Sequence, residues 1–194
     1  MRRICVFCGS NSGNSPAYAL AAAELGGVLA AHEIALVYGG SNVGLMGTVA
    51  DAVLAAGGQV IGVIPRSLVD REVAHRGLAD LRVVETMHER KALMADLADG
   101  FIAMPGGFGT FDELCEILTW AQLGIHSKPV GLLNTLGYWD PFLLFLDHAV
   151  DAGFLRSAHR RLLEVNEGPS ELVDRLVLAK PLAPESKWMD PAAR

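Results

Sequence analysis

"GFIAMPGGFGTFDEL", residues 100–114, decides the fold class. A short apolar run ends at Pro105 and Gly106, glycine fills three of the four positions from 106 to 109, and a helical pattern follows. An apolar run of this length suits a strand buried on both faces of a parallel sheet. Strand, glycine turn and helix in succession form the repeating unit of a doubly wound α/β sheet.

Reading outward, the same unit recurs along the chain. Apolar runs that close on glycine, proline or a polar residue are "RICVFCGS", "IALVYGG", "QVIGVIP", "LRVVET", "PVGLLN" and "RLLEVN". Helical patterns lie between most of them, near 16–31, 43–56, 86–98, 110–124, 140–152 and 169–179. The expected fold is therefore α/β: a Rossmann-like, doubly wound, mostly parallel sheet of about seven strands, with helices on both faces. No repeat or interdomain linker interrupts it. One domain is expected over residues 1–179, followed by an irregular tail, 180–194, that holds three prolines.

Composition narrows the function. Of 194 residues, 51% are apolar and 20% charged, enough for a large core and unlike a disordered chain. A net charge of −6 argues against nucleic acid or an anionic membrane as partner. The apolar run after Arg2 and Arg3 is too short for a signal peptide, and no segment has the length to cross a bilayer. Three cysteines, Cys5, Cys8 and Cys115, suggest reduced thiols and a cytoplasmic setting. Cys5 and Cys8 match C-x-x-C by letter. They fall within an expected strand, three residues apart, and so point to opposite faces as buried structural thiols. No zinc-type cluster accompanies them, and no metal or cofactor is expected.

Three strand ends carry glycine: Gly9-Ser10, Gly39-Gly40 and Gly106-Gly107. Glycine at a single strand end often serves only a turn or close packing. Three such ends in one sheet point to a shared crevice, because ligands of doubly wound sheets bind beyond the strand ends. The loop 104–114 fits neither G-x-x-x-x-G-K-[ST] nor G-x-G-x-x-G, so ATP hydrolysis and hydride transfer lose support. What it offers is close backbone approach followed by a helix amino end, where free N–H groups and the dipole hold an anion. Thr110 can add a hydroxyl.

"TFDE" reads as a capping box with Thr110 as N-cap and Glu113 at the third helical position, and ordinary helix-start preference accounts for Asp112. On a wheel of about 100° per residue, Phe111, Leu114, Cys115 and Leu118 form the expected core stripe. Glu113, Ile117 and Trp120 then lie opposite, on a second apolar face suited to a two-fold partner. Glu113 would sit at a partly desolvated edge, directed away from the loop, with a raised pKa.

"ETMHERKALM", residues 85–94, holds a second capping pattern in Thr86 and Glu89. From a helix start near Met87, the residues Met87, Arg90, Lys91 and Met94 share one stripe. Two cations in the first turns oppose the helix dipole. Lys91 is either a snorkelling side chain or an anion ligand. The fork of Arg90 suits a phosphate, ribose hydroxyls or a carboxylate such as Glu113.

Together "YGGSNVGLMG", "VIP", "DRE", "MHERK", "PGGFGTFDE" and "TWAQLGIHSKPVGLLN" resemble the Lonely guy family of cytokinin riboside 5′-monophosphate phosphoribohydrolases, long mislabelled lysine decarboxylases. The resemblance runs from about residue 3 to 178. It implies hydrolysis of the N-glycosidic bond of a nucleoside 5′-monophosphate, giving free base and ribose 5-phosphate. It places catalytic roles on Arg90 and Glu113. Substrate binding falls on Glu72, Arg90, Lys91, the stretch Gly106, Gly107, Phe108, Gly109, Thr110, Phe111 and Asp112, and on Thr119. With these go Gly9, Ser10, Gly39, Gly40 and Met87 from the strand ends and the basic stripe. The resemblance also implies a homodimer with sites near the interface. A decarboxylase using pyridoxal phosphate fits poorly, since Lys91 alone among the lysines falls near a candidate site. The alternative is a non-catalytic carrier of a nucleotide or molybdenum cofactor, which needs the loop but not the Arg90–Glu113 pair.

Overall fold

The computed structural model describes residues 1–69 and 74–179. Glu72 and the tail 180–194 lie outside the described residues. Along the described chain the strands are β1 (Arg3–Phe7), β2 (Ala35–Tyr38), β3 (Val60–Pro65), β4 (Asp80–Val84), β5 (Gly100–Ala103), β6 (Val130–Leu133) and β7 (Leu163–Asn166). The main helices are α1 (Pro16–Ala31), α2 (Gly44–Ala55), α4 (Met87–Leu97), α5 (Phe108–Gln122), α6 (Asp140–Asp151) and α8 (Pro169–Leu178). Short turns of helix, α3 (Arg66–Val69) and α7 (Ser157–Arg160), complete the set, with a 3-10 turn at Thr135–Gly137.

All strand pairs are parallel, in the order β4-β3-β2-β1-β5-β6-β7. The chain winds outward from β1 to β4, then returns across β1 to β5 and winds the other way. The reversal falls between β1 and β5, and a doubly wound sheet opens its ligand crevice at such a switch point. Gly9 follows β1 and Gly106 follows β5, so two of the glycine strand ends meet there. The backbone N–H of Gly9 donates to the Pro105 carbonyl at 3.0 Å, which fastens the two loops side by side.

Strand alternation divides the core in two. Ile4, Val6 and Cys8 enter the cluster under α1, α2 and α8, with Leu36, Tyr38, Ile102 and Met104. Cys5 and Phe7 enter the other cluster with Val37, Phe101 and Ala103, against Met94 of α4, Leu114 and Ile117 of α5 and Trp139. Cys5 and Cys8 are thus buried free thiols on opposite faces, as their spacing requires.

The seven expected strands and six main helices all occur. α5 differs in its start, at Phe108 rather than 110. Its N-cap is Gly107, and Thr110 lies inside the first turn, so the capping box expected on Thr110 and Glu113 does not form. The capping pattern of α4 forms with one shift, the acid reaching the N–H of the residue before the N-cap. Thr86 Oγ1 accepts from Glu89 N at 3.1 Å, and Glu89 Oε2 accepts from Glu85 N at 2.9 Å.

Candidate active site

Arg90 of α4 and Glu113 of α5 meet against the sheet, beside Val63 of β3 and Gly39 just after β2. Arg90 Nη1 donates to Glu113 Oε1 at 2.7 Å, and Arg90 Nε donates to the Val63 carbonyl at 3.1 Å. Both side chains are buried, Arg90 at 7% exposure and Glu113 at 8%. The guanidinium lies over Gly39, where an added Cβ would stand 2.1 Å from Nη2. A side chain at this position would displace the guanidinium, so the bare backbone of Gly39 leaves the arginine its seat. Burial pushes the Glu113 carboxyl above its ordinary pKa, and the attraction of Arg90 offsets this only in part.

The wheel reading of α5 needs correction. Its inward residues are Thr110, Glu113, Leu114 and Ile117, whereas Cys115 is exposed and Phe111 and Leu118 are half-buried. The Glu113 face is therefore the sheet face, not the outer one. An apolar stripe was a poor guide because the partner waiting under Glu113 is a buried cation, Arg90, supplied by another helix. The raised pKa follows from this deeper burial.

Lys91 turns toward α5. Its Nζ donates to Asp112 Oδ2 at 3.0 Å and to Glu116 Oε1 at 3.1 Å, and together these offset the cost of its burial and raise its pKa. It acts as a tie between α4 and α5. Met87 is half-exposed at the start of α4, and Thr119 lies on the outer side of α5, its hydroxyl donating to the Cys115 carbonyl at 2.7 Å. Neither belongs to the buried cluster. Phe108 projects into solvent with 91% exposure.

The glycine loop crosses between β5 and α5. Gly106 is packed tightly: an added Cβ would fall 2.1 Å from Thr110 Oγ1 and 2.9 Å from Gly9 N. At Gly107 and Gly109, by contrast, an added Cβ would meet open space. Beside the loop lies a cavity of about 260 Å³ lined by Gly9 to Gly13, Tyr18, Leu45, Pro105, Gly106, Gly107 and Tyr138. Gly9, Ser10, Gly106 and Gly107 are brought together there. Gly40 lies off to one side, its carbonyl accepting from His75 N at 2.9 Å. Tyr18 and Tyr138 form an edge-to-face pair at 6.2 Å across the cavity. Sequence reasoning missed both tyrosines. "NTLGYW" contains a turn and an aromatic pair, but nothing local says that its tyrosine reaches a loop 32 residues earlier.

Among the described residues, no group of three or more His, Cys, Asp or Glu is placed to hold a metal ion, and no helix is long and apolar enough to cross a membrane.

Comparison with known proteins adds a family. The model of a family described as "possible lysine decarboxylase" matches residues 46–176. A cytokinin riboside 5′-monophosphate phosphoribohydrolase of Arabidopsis thaliana is 53% identical over 175 residues, covering 90% of this chain and 81% of the relative. One from Oryza sativa subsp. japonica is 55% identical over 175 residues, covering 90% and 72%. Among solved structures, the molybdenum cofactor carrier protein of Chlamydomonas reinhardtii superposes with a TM-score of 0.69 at 23% identity, covering 92% of this chain and 99% of that one. The molybdenum cofactor binding protein of Rippkaea orientalis gives 0.69 at 22%, covering 91% and 97%. At such identities these two carry the fold alone.

Proposed function

The chain belongs to the Lonely guy family of cytokinin riboside 5′-monophosphate phosphoribohydrolases, and from that premise we propose that it hydrolyses the N-glycosidic bond of nucleoside 5′-monophosphates, cytokinin riboside monophosphates and AMP among them. The observation that carries the reading is the buried Arg90–Glu113 pair beside an anion-binding glycine loop. A carrier would need the loop without the pair.

In this reading the amino end of α5 takes the 5′-phosphate through backbone N–H groups at Gly107 to Thr110, where the helix dipole adds its attraction. Glu113 lies one turn further in and serves the ribose. As the C1′–N bond lengthens, positive charge grows on the sugar, and an ionised carboxylate lowers the energy of that state. Water adds to C1′, the base leaves with the bonding pair and a proton, and ribose 5-phosphate remains. Arg90, held by Val63 and Glu113, keeps the carboxylate charged and in place. In this arrangement a negative side chain and a positive helix end would serve opposite ends of one substrate.

The family's substrate positions also include Glu72, outside the described residues. Lys91 contributes here by fixing α4 against α5 rather than by reaching the anion, since both Asp112 and Glu116 already engage it.

A homodimer is part of the proposal. Leu144 and Phe145 of α6, Phe154 after it, and Phe108 and Ile125 at the two ends of α5 are all exposed apolar side chains. A two-fold partner covering them would replace the Ile117 face expected from the wheel, which the core already occupies.

The deciding experiment is a product assay. The protein is incubated with AMP, isopentenyladenosine monophosphate and the corresponding nucleosides, and free base is measured. Release from the monophosphates alone is expected. Tight nucleotide binding without base release would favour the carrier. Equal activity on nucleosides would remove the role given to the loop.

A further inference from the structure

The peptide between Gly106 and Gly107 is the weakest point of the anion loop. Flanked by two glycines, it meets less steric resistance to turning over than any other peptide in the loop. Its orientation matters, because the planar trans unit fixes the Gly106 carbonyl and the Gly107 N–H in opposite directions. Turned one way it presents a donor to an anion; turned the other it presents a carbonyl oxygen, which repels one. The packing of Thr110 against Gly106 restrains one side of this peptide, while Gly107 has open space around it. Something else must hold the plane.

We propose that Tyr138 is a positioning residue for the anion loop: its hydroxyl donates to the Gly106 carbonyl and thereby fixes the direction of the Gly107 N–H. The tyrosine is well mounted for this. The neighbouring Trp139 is fully buried, and its backbone N–H donates to Asn134 Oδ1 at 2.7 Å. Asn134 Nδ2 donates in turn to Asp140 Oδ1 at 2.8 Å, which closes the connection between β6 and α6 on itself. The Tyr138 ring meets Trp139 edge-on at 5.3 Å and Tyr18 at 6.2 Å, so it has packing on two sides. A rigid connection on one side of the switch point thus holds a flexible glycine peptide on the other. The role rests on the proposed reading of the loop as the 5′-phosphate site, and it acts through the Gly106 carbonyl.

Tyr138→Phe removes only the hydroxyl and keeps both ring contacts. For a neutral hydrogen bond to a mobile peptide we expect KM for AMP to rise about fivefold while kcat stays within roughly twofold. Inhibition by ribose 5-phosphate should weaken by the same factor, and inhibition by adenine should not change. A structural lesion would lower kcat or weaken both inhibitors together, and either result overturns the proposal, as does a variant with unaltered KM. Calorimetric titration with inorganic phosphate supplies an independent readout. If the wild-type protein releases no base from AMP yet binds phosphate more tightly than Tyr138→Phe, the enzyme reading fails and the positioning role stands. If neither protein binds phosphate, the positioning role fails.

Discussion

Arg90 Nη1 and Glu113 Oε1 stand 2.7 Å apart, 23 residues apart in the chain and joined across two helices that face the same sheet. Neither partner tolerates its burial alone. Removing one member of a buried hydrogen-bonded pair typically costs about 3–5 kcal/mol, because the other is left charged in a poorly solvated place. The pair therefore ties the integrity of the site to that of the fold.

Glu113→Gln keeps the size of the side chain and an acceptor oxygen for Arg90 but removes the negative charge. Nucleotide binding should persist while base release falls by about 10²–10³-fold, the usual cost of losing one preorganised electrostatic group. Single-turnover assays beside equilibrium binding of AMP check this. Near-normal turnover would exclude the assignment.

Gly39→Ala separates the seat of Arg90 from its chemistry. The new methyl group would stand 2.1 Å from Nη2, the far end of a flexible side chain, so the arginine gives way rather than the backbone. A folded protein is expected, with turnover reduced by about as much as in Glu113→Gln. Thermal unfolding and steady-state kinetics measured on one preparation would show it.

The pH dependence has a definite sign. Burial raises the Glu113 pKa and Arg90 lowers it, with burial the larger effect. A carboxylate that works only when ionised gains activity as pH rises through its folded-state pKa. The acid limb of kcat/KM should thus lie above the ordinary glutamate value of about 4.3. Arg90→Gln removes the lowering influence, so the limb of its residual activity should move further toward alkaline pH. For stability the sign is opposite. Ionising Glu113 costs the folded state, and the cost is absent below the ordinary glutamate pKa and complete above the folded one.

Asp99 offers a control far from the chemistry. Burial tends to raise its carboxyl pKa, but the N–H groups of Arg2 and Arg3, donating to Oδ2 at 2.7 and 2.9 Å, hold it below the usual aspartate value. A depressed carboxyl adds stability above its unfolded pKa and loses it as pH falls through the folded one. Asp99→Ala should therefore be less stable than wild type at neutral pH, with the difference shrinking in acid and base release unaffected. Urea titrations across pH would show the two curves converging.

Strands, main helices and the glycine loop are all readable from the chain. Each is written in local chemistry: apolar runs of strand length, helical spacing between them, and glycine or proline where each run stops. The glycine turn into α5 and the basic start of α4 were legible for the same reason, since short motifs carry their own geometry. The side of α5 that faces inward was not legible. The wheel favoured Phe111, Leu114, Cys115 and Leu118, but the sheet receives Glu113 and Ile117, because Arg90 of another helix pairs with the carboxylate and satisfies it in the core. The roles of Tyr138 and Gly39 were hidden likewise: a hydroxyl meets a carbonyl 32 residues earlier, and a missing Cβ makes room for an arginine 51 residues later. Such contacts emerge on folding, because burial of a polar group is settled by what lies opposite it, and the winding of the sheet chooses what that is.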